Sequence, residues 1–161
     1  MTRIGLFSDS HGDHRALAQL LENMGYIDAA CFMGDVARDA EFLRLQLAAM
    51  PNHPQFFAVR GNNDYITTLP DDLLIELGGK RIWMEHGHRM SSVMALAYRA
   101  MEHQAEIALF GHTHVPYCEY VNGVLVINPG SAGNYCRGGA ARASLLTIDD
   151  RGLFRVDDVN L

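Results

Sequence analysis

Phe7-Ser8-Asp9-Ser10-His11 is the first of five short motifs on which the interpretation of this sequence rests. Each motif directly follows an apolar, strand-like run, and the other four, in chain order, are Met33-Gly34-Asp35, Arg60-Gly61-Asn62-Asn63-Asp64, Glu85-His86-Gly87-His88 and Phe110-Gly111-His112-Thr113-His114. Ligands of open α/β sheets bind beyond the carboxyl ends of the strands. Five strands that each end in Asp, Asn or His therefore predict one shared polar site.

The spacing within two of these motifs suggests metal ligands. Asp9 and His11 are two residues apart, as are His112 and His114. In an extended chain, residues i and i+2 point to the same side, so each pair is expected to face the site together. The collected set has two carboxylates, one amide and up to four imidazoles, without cysteine, and it exceeds the needs of one tetrahedral ion. The sequence predicts two divalent metal ions.

Length and composition limit the remaining possibilities. The 161 residues fit a single domain spanning 1–161. A net charge of -6 argues against an extended nucleic-acid interface, which needs a basic face. The three cysteines form no metal-binding pattern, and an odd number fits no closed disulfide framework. Because the sequence shows neither a signal peptide nor a membrane-spanning apolar run, we expect a cytoplasmic protein without membrane contact.

The order of elements predicts the fold class. In the first half, strands alternate with helices, and such alternation implies parallel βαβ units. Asp13 is placed to cap a first helix that Gly25 ends, and a second helix is expected near Ala40–Met50. Ser91 or Ser92 is placed to cap a third. The later part is mostly strand, with hairpin turns at Gly78-Gly79 and Asn122-Gly123. We expect an α/β protein in which two sheets pack face to face with helices outside.

Taken together, the ordered motifs resemble those of the calcineurin-like metallophosphoesterase superfamily. The short length, the Glu85-His86-Gly87-His88 form and the Asn128-Pro129-Gly130-Ser131 segment are similar to its small bacterial and archaeal phosphodiesterase branch, which also includes the retromer subunit Vps29. The motifs span residues 9 to 131, which is most of the chain. Any single motif is weak evidence, whereas all five in order are specific.

The resemblance implies a four-layer αββα sandwich of two mixed β-sheets and a binuclear metal site. By position, Asp9, His11 and His114 would hold the first ion, and Asn62, His86 and His112 the second, with Asp35 bridging. The implied reaction is in-line attack of a metal-bridging hydroxide on a small phosphorylated substrate, with Asp35, Asn62 and His112 as catalytic residues. The resemblance favours Mn²⁺, while Fe²⁺, Ni²⁺, Co²⁺ and Zn²⁺ also suit these ligands. A homo-oligomer is compatible with the sequence.

Residues beside the expected ligands are candidates for substrate binding. Arg60 and Asn63 would contact the substrate phosphate, and Arg38 is a further candidate. Either arginine is equally able to pair with a neighbouring aspartate, Arg60 with Asp64 and Arg38 with Asp39. His88 points toward the site by its spacing from His86, but a supporting role is expected rather than ligation.

One departure from the family pattern affects the expected reaction. Many superfamily phosphatases have His where this sequence has Asn63, and the His acts as general acid or steadies the transition state. Because Asn cannot protonate a leaving alkoxide, and such help is worth about 10²–10⁴-fold, hydrolysis of unactivated monoesters is expected to be slow.

Two other functional classes remain open. A binding module like Vps29 would use a degenerate metal pocket as a docking surface for protein. The complete set of seven candidate ligands favours the enzyme, since a pure scaffold has no need of all seven. Dinucleoside polyphosphate phosphatases and protein phosphatases resemble larger members with added segments, for which this chain has little room.

Overall fold

The computed structural model of the chain describes residues 1–133 and 140–161. These residues form ten strands and three helices, in the order β1 (Thr2–Phe7), α1 (His14–Met24), β2 (Ala29–Phe32), α2 (Ala37–Ala48), β3 (Gln55–Ala58), β4 (Asp72–Leu77), β5 (Lys80–Glu85), α3 (Val93–Glu102), β6 (Ile107–Leu109), β7 (Tyr117–Val121), β8 (Val124–Asn128), β9 (Arg142–Ile148) and β10 (Phe154–Asn160). Residues 134–139, among them Cys136, lie outside the described residues.

The strands form two mixed five-stranded sheets. The first has the order β10-β9-β1-β2-β3, and the second has the order β4-β5-β6-β8-β7. Strands β1, β2 and β3 run parallel to one another, as do β5, β6 and β8, whereas the remaining neighbours pair antiparallel. The predicted parallel units of the first half and the later hairpins are therefore confirmed.

Three hydrophobic clusters separate four layers. Ile4 and Leu6 of β1 face the second sheet and pack with Ile82 and Ile107, whereas Phe7 faces α1 and α2 on the other side. A third cluster packs α3 against the outer face of the second sheet through residues such as Trp83. Strands buried on both faces need continuous apolar runs, which is the pattern that precedes each motif. The four-layer αββα sandwich is confirmed.

Local capping explains where α1 and α3 begin. The Asp13 carboxylate accepts a hydrogen bond from the Ala16 N–H at 3.0 Å, and the Ser92 hydroxyl accepts one from the Ala95 N–H at 3.0 Å. These contacts satisfy amide groups that a helix leaves unpaired at its start. Gly25 follows α1 as its C-cap. The predicted caps are thus confirmed.

Helix α2 begins at Ala37, three residues before the predicted start. Its N-cap, Val36, offers no side-chain hydrogen bond, and the Ala37 N–H donates instead to the Asp64 carboxylate at 2.6 Å. The capping group comes from a remote loop, so the local pattern did not reveal it. This contact joins the start of α2 to the motif that contains Asn62.

The helices of the described residues are too short and too polar to cross a membrane. The hairpin turns at Gly78-Gly79 and Asn122-Gly123 lie where the sequence predicts them. Strand β10 pairs with β9 along its whole length, from Phe154 to Asn160. Cys31 is buried and Cys118 is exposed, and both are free thiols.

Candidate metal centre

All seven predicted ligand side chains meet at one edge of the two sheets. Asp9, Asp35 and Asn62 lie just beyond the parallel strands of the first sheet, while His86 and His112 follow the parallel strands β5 and β6 of the second. The remaining two side chains come from the same loops and are those of His11 and His114. The site therefore lies at the seam between the sheets, with contributions from both.

The side chains expected at the first metal surround one carboxylate oxygen. Asp9 Oδ1 lies 3.2 Å from His114 Nε2 and 3.9 Å from His11 Nε2. The two imidazole nitrogens are 3.3 Å apart. Donor atoms of these three residues lie within 4.8 Å of one another, which is compact enough to enclose an ion. Asp9 is completely buried, whereas both histidines are partly exposed.

The side chains expected at the second metal converge on the Asn62 amide oxygen. Asn62 Oδ1 lies 3.0 Å from His86 Nε2 and 3.2 Å from His112 Nδ1. Asp35 Oδ2 lies 3.5 Å from His86 Nε2. Asp9, Asp35 and His86 form a second compact group of donor atoms, so Asp9 belongs to both groups. The assignment of Asp35 as the bridging ligand stays a prediction.

The hydrogen bonds of the Asp9 carboxylate show whether the site suits a cation. Its Oδ2 accepts hydrogen bonds from the Ser8 hydroxyl at 2.6 Å and from the His112 N–H at 2.8 Å. Its Oδ1 is buried and has no hydrogen-bond partner among the described residues. An unpaired buried carboxylate oxygen is costly, and imidazole nitrogens surround this one. Oxygen and nitrogen donors in this arrangement fit a borderline divalent ion.

A backbone contact fixes the orientation of His86. Its Nδ1 donates to the Met33 carbonyl oxygen at 2.6 Å, deep in the protein. The hydrogen bond assigns the proton to Nδ1 and leaves the Nε2 lone pair directed at the site. His86 is therefore held in the tautomer that a metal ligand requires.

Without an ion, the carboxylates of the site are balanced by the imidazoles. Burial opposes ionisation of Asp35, but hydrogen bonds from His86 and Asn63 lower its pKa below the ordinary range. The Asp9 carboxylate, whose Oδ1 lies 3.2 Å from His114 Nε2, raises the pKa of His114. Burial opposes protonation of His86, yet Asp35 and Asp9 raise its pKa overall. A divalent ion supplies the positive charge that these protons otherwise provide, so metal binding releases protons.

The sequence predicts that Asp9 and His11, and likewise His112 and His114, face the site together because the chain is extended there. This reason is wrong. All four residues have positive φ, at 54°, 46°, 67° and 62° in that order. The chain turns sharply at the end of each strand and does not continue extended. The side chains meet because the left-handed turns fold the loops back over the strand ends. Positive φ is uncommon for residues other than glycine.

Two glycines let the loops approach one another. A Cβ on Gly61 would lie 1.9 Å from Asp35 Oδ1, and a Cβ on Gly111 would lie 1.9 Å from the Ser8 hydroxyl. Either contact is far inside van der Waals distance. The Gly-Asn and Gly-His motifs therefore need glycine because the backbone passes directly against the carboxylates of the site.

Two buried carboxylates that sequence reasoning left out of the site hold its loops in place. Asp39 is fully buried and accepts hydrogen bonds from the Ser10 hydroxyl, the Gly12 N–H and His14 Nε2, at 2.6 to 2.8 Å. Asp64 accepts from the N–H groups of Gly61 and Ala37. The sequence signal that could have revealed these two supporting carboxylates is the position of each one within or next to a ligand motif. His14, whose side chain is 41% exposed, thus pairs with Asp39.

The other candidate residues have identified contacts. Arg60 pairs with Asp71 at 2.7 Å and not with Asp64. Asn63 Nδ2 donates to Asp35 Oδ2 at 2.8 Å. The roles of Arg60 and Asn63 toward a substrate phosphate stay predictions. His88 lies beside His86, with ring centroids 5.5 Å apart, and its Nδ1 is buried without a hydrogen-bond partner among the described residues.

Comparisons of the sequence and of the fold with known proteins agree on one family. The model of the calcineurin-like phosphoesterase superfamily domain matches residues 2–151. A solved structure of a predicted phosphoesterase from Streptococcus pneumoniae is 30% identical, with a TM-score of 0.77, over 99% of this chain and 89% of that one. A phosphodiesterase from Methanocaldococcus jannaschii is 26% identical over 157 residues, which cover 84% of this chain and 87% of the relative.

The fold also resembles that of Vps29. The structure of Vps29 from Entamoeba histolytica in complex with zinc has a TM-score of 0.73 and covers 99% of both chains, at 22% identity. At this level of identity the likeness concerns the fold alone.

Proposed function

Because the chain belongs to the calcineurin-like phosphoesterase superfamily, we propose that it is a binuclear-metal phosphodiesterase that hydrolyses a small phosphorylated substrate. The observation that carries the proposal is the convergence of seven oxygen and nitrogen donors on one seam, with the buried Asp9 Oδ1 unpartnered among the described residues. The relative from M. jannaschii, which is named a phosphodiesterase, supports the choice of diesters.

The residues divide between two ions as the sequence suggests. Asp9, His11 and His114 would hold one ion, and Asn62, His86 and His112 the other, with Asp35 between them; Mn²⁺ is the metal we propose. Two such ions supply Lewis-acid stabilisation of the phosphoryl oxygens and a nucleophile at neutral pH. Bound cations would also make the pocket locally positive, so an acidic protein can attract a phosphate.

Hydrogen bonds within the protein hold the candidate ligands of this site in place. His86 is fixed by Met33, the Asp9 loop is fixed by Asp39, and the Asn62 loop is fixed by Asp64. Preorganised groups of this kind need little rearrangement as charge develops on the phosphate. The exposure of Asn62 and His112 leaves one side of the site open to substrate.

The direct test is metal analysis combined with activity. We expect close to two equivalents of Mn²⁺ to bind and p-nitrophenol to be released from bis-p-nitrophenyl phosphate. Chelation should reduce the rate to background, and added Mn²⁺ should restore it. The kcat/KM for the diester should exceed that for p-nitrophenyl phosphate. A protein that binds two ions and hydrolyses neither ester would contradict the proposal.

The same measurement addresses the alternative of a protein-binding module. A module of the Vps29 kind would bind metal without turnover of either ester. The likeness of fold suits both functions equally, whereas the seven donors brought together here suit the enzyme better. The binding module therefore remains the second candidate.

Asn63 gives a prediction about the leaving group. Its side-chain amide donates to Asp35 at 2.8 Å. An imidazole at position 63 would therefore also lie next to the site. Replacement Asn63→His adds a group whose unperturbed pKa of about 6.5 suits acid catalysis. We expect the variant to hydrolyse alkyl esters faster by roughly tenfold or more, and nitrophenyl esters with little change. The measurement is kcat/KM across a series of leaving groups.

Asn63→Gln is the matched control, because it changes the side chain but retains an amide that does not titrate. The dependence of rate on leaving-group pKa should be as steep in this variant as in the unaltered protein. If Asn63→His shows the same slope as well, Asn63 does not mark a missing acid.

A further inference from the structure

A groove adjoins the metal-ligand cluster on the side of α2. It has a volume of about 500 Å³ and lies between α2, β3 and the segment 66–69. We call it the α2 groove; the residues of its lining that matter here are Arg38, Arg44, Phe56, Ile66, Thr67 and Leu69. Glu41 also lines the groove and pairs with Arg44, so the charged residues of the lining are this ion pair and Arg38. Small-molecule sites commonly combine an apolar body with a few polar groups.

Arg38 connects the α2 groove to the cluster. Its Nη2 lies 3.3 Å from the position that a Cβ on Gly12 would occupy, so the guanidinium rests against the turn that carries His11. The side chain is exposed, and within the described residues it has neither an ion pair nor a side-chain hydrogen bond. The neighbouring Asp39 is already occupied by Ser10, Gly12 and His14.

The other arginines near the site differ from Arg38 in this respect. Arg60 and Arg89 both pair with Asp71, Arg99 pairs with Glu85, and Arg44 pairs with Glu41. Each of these four arginines has a carboxylate partner, although Arg60 and Arg89 share one. Among these five arginines of the described residues, Arg38 is the one that has no carboxylate partner.

The position of Arg38 calls for an anion. A guanidinium beside a cluster that holds divalent cations is repelled by them unless a negative group lies between or beside them. The planar guanidinium donates two parallel hydrogen bonds to phosphate, which makes it well suited to a phosphate monoester. The ester phosphate would be held at the cluster, whereas the Arg38 guanidinium lies against Gly12 and lines the α2 groove. We therefore infer that an anion at Arg38 is a separate group.

We propose that the α2 groove binds the organic part of the substrate and that Arg38 binds a second phosphate carried by it. The substrate class is then a phosphodiester with an additional phosphate monoester. Ile66, Phe56 and Leu69 provide the apolar surface for the group that joins the two phosphates. The inference rests on the proposed phosphodiesterase function and specifies its substrate.

A matched pair of substrates tests the proposal. The p-nitrophenyl ester of thymidine 5′-phosphate and the same ester with a 3′-phosphate share the leaving group and differ in the second phosphate. The protein with Mn²⁺ should show about tenfold or more higher kcat/KM for the 3′-phosphorylated ester, because charge-assisted bidentate hydrogen bonds are stronger than neutral ones. Arg38→Ala should remove this preference, which is measured within each protein as the ratio of kcat/KM for the two esters.

Two further variants show whether the preference for the 3′-phosphorylated ester depends on the Arg38 guanidinium. Arg38→Lys keeps the charge without the planar fork and should retain part of the preference. Arg155→Ala is the control, since Arg155 pairs with Asp157 on β10, at the opposite edge of the first sheet from the groove. It should retain the full preference.

The outcomes separate the two proposals. Equal kcat/KM for both esters in the unaltered protein, or a preference that survives in Arg38→Ala, overturns the role of Arg38. Hydrolysis of neither ester overturns the phosphodiesterase instead. In that case, calorimetric titration with thymidine 3′,5′-bisphosphate and thymidine 5′-phosphate still tests Arg38: tighter binding of the bisphosphate should be lost in Arg38→Ala, and equal affinities in the unaltered protein contradict the proposal.

Discussion

Replacing Asp35 by Asn should reduce kcat/KM by roughly 10³-fold or more, because several kcal/mol of transition-state stabilisation depend on the metal pair. Asp35 contributes negative charge next to His86 and Asn63, and as a bridging ligand it would shield two cations from each other. Without it, the cations repel across a short gap. The loss should exceed that of His114→Ala, which removes one terminal ligand.

The bound metal per protein distinguishes a bridging Asp35 from an ordinary ligand. We expect Asp35→Asn to retain at most one ion at Mn²⁺ concentrations that fill both sites of the unaltered protein. Asp9→Asn is the informative comparison, since Asp9 is the residue common to both groups of donor atoms. If Asp9→Asn loses both ions while Asp35→Asn keeps two and remains active, the bridging ligand is Asp9. Asp157→Asn is the control, since Asp157 lies on β10, away from the cluster, with its side chain 43% exposed, and this variant should bind metal and turn over normally.

The second large loss of activity is expected when a single methyl group is added at Gly61. In Gly61→Ala, the new Cβ would overlap Asp35 Oδ1 at 1.9 Å and Cγ at 2.6 Å. The Asp35 carboxylate or the Asn62 loop must move by an ångström or more, and displacement of that size in a catalytic site can cost about 10²-fold. Steady-state kinetics and metal content should both be affected, although no candidate ligand has been changed.

Gly123→Ala is the control for this substitution. Gly123 lies in the β7–β8 turn, where a Cβ would meet nothing within 4 Å. Its φ of 82° is unfavourable for alanine, so the variant should be less stable by about 1 kcal/mol, as judged by urea unfolding, with unchanged kcat. Normal activity in Gly61→Ala would mean that the loop relaxes without moving Asp35.

The fold and the composition of the site were predictable because each motif combines two independent signals. The apolar runs before Asp9 and Asp35 mark strands that are largely buried, the run before Asn62 marks a half-buried edge strand, and the polar residues that follow mark their carboxyl ends. Parallel strands place those ends at one edge. The caps at Asp13 and Ser92 are local contacts of three residues, which a sequence pattern can reveal.

What the sequence failed to predict depends on contacts between distant residues. Helix α2 starts at Ala37 because Asp64 caps it from another loop. The turns at His11 and His112 adopt positive φ because hydrogen bonds from their own N–H groups, to the Asp35 carbonyl and the Asp9 carboxylate, hold them there. Neither conformation follows from the propensities of the residues themselves. The interpretation of Asp9 and His11 as an extended pair was therefore wrong in its reason, even though the residues meet.

The two sheets differ in how the chain builds them. Residues 72–128 supply every strand of the second sheet, so that sheet is continuous in sequence. The first sheet is completed only when β9 inserts between β1 and β10, and Ile4 thereby pairs with Leu146. Contacts of such long sequence separation are slow to form, because the loop between them must close first. During synthesis on the ribosome, the second sheet has all its strands while β1 still exposes an unpaired edge. The last twenty residues of the chain therefore determine when the strand that carries Asp9 becomes fully enclosed.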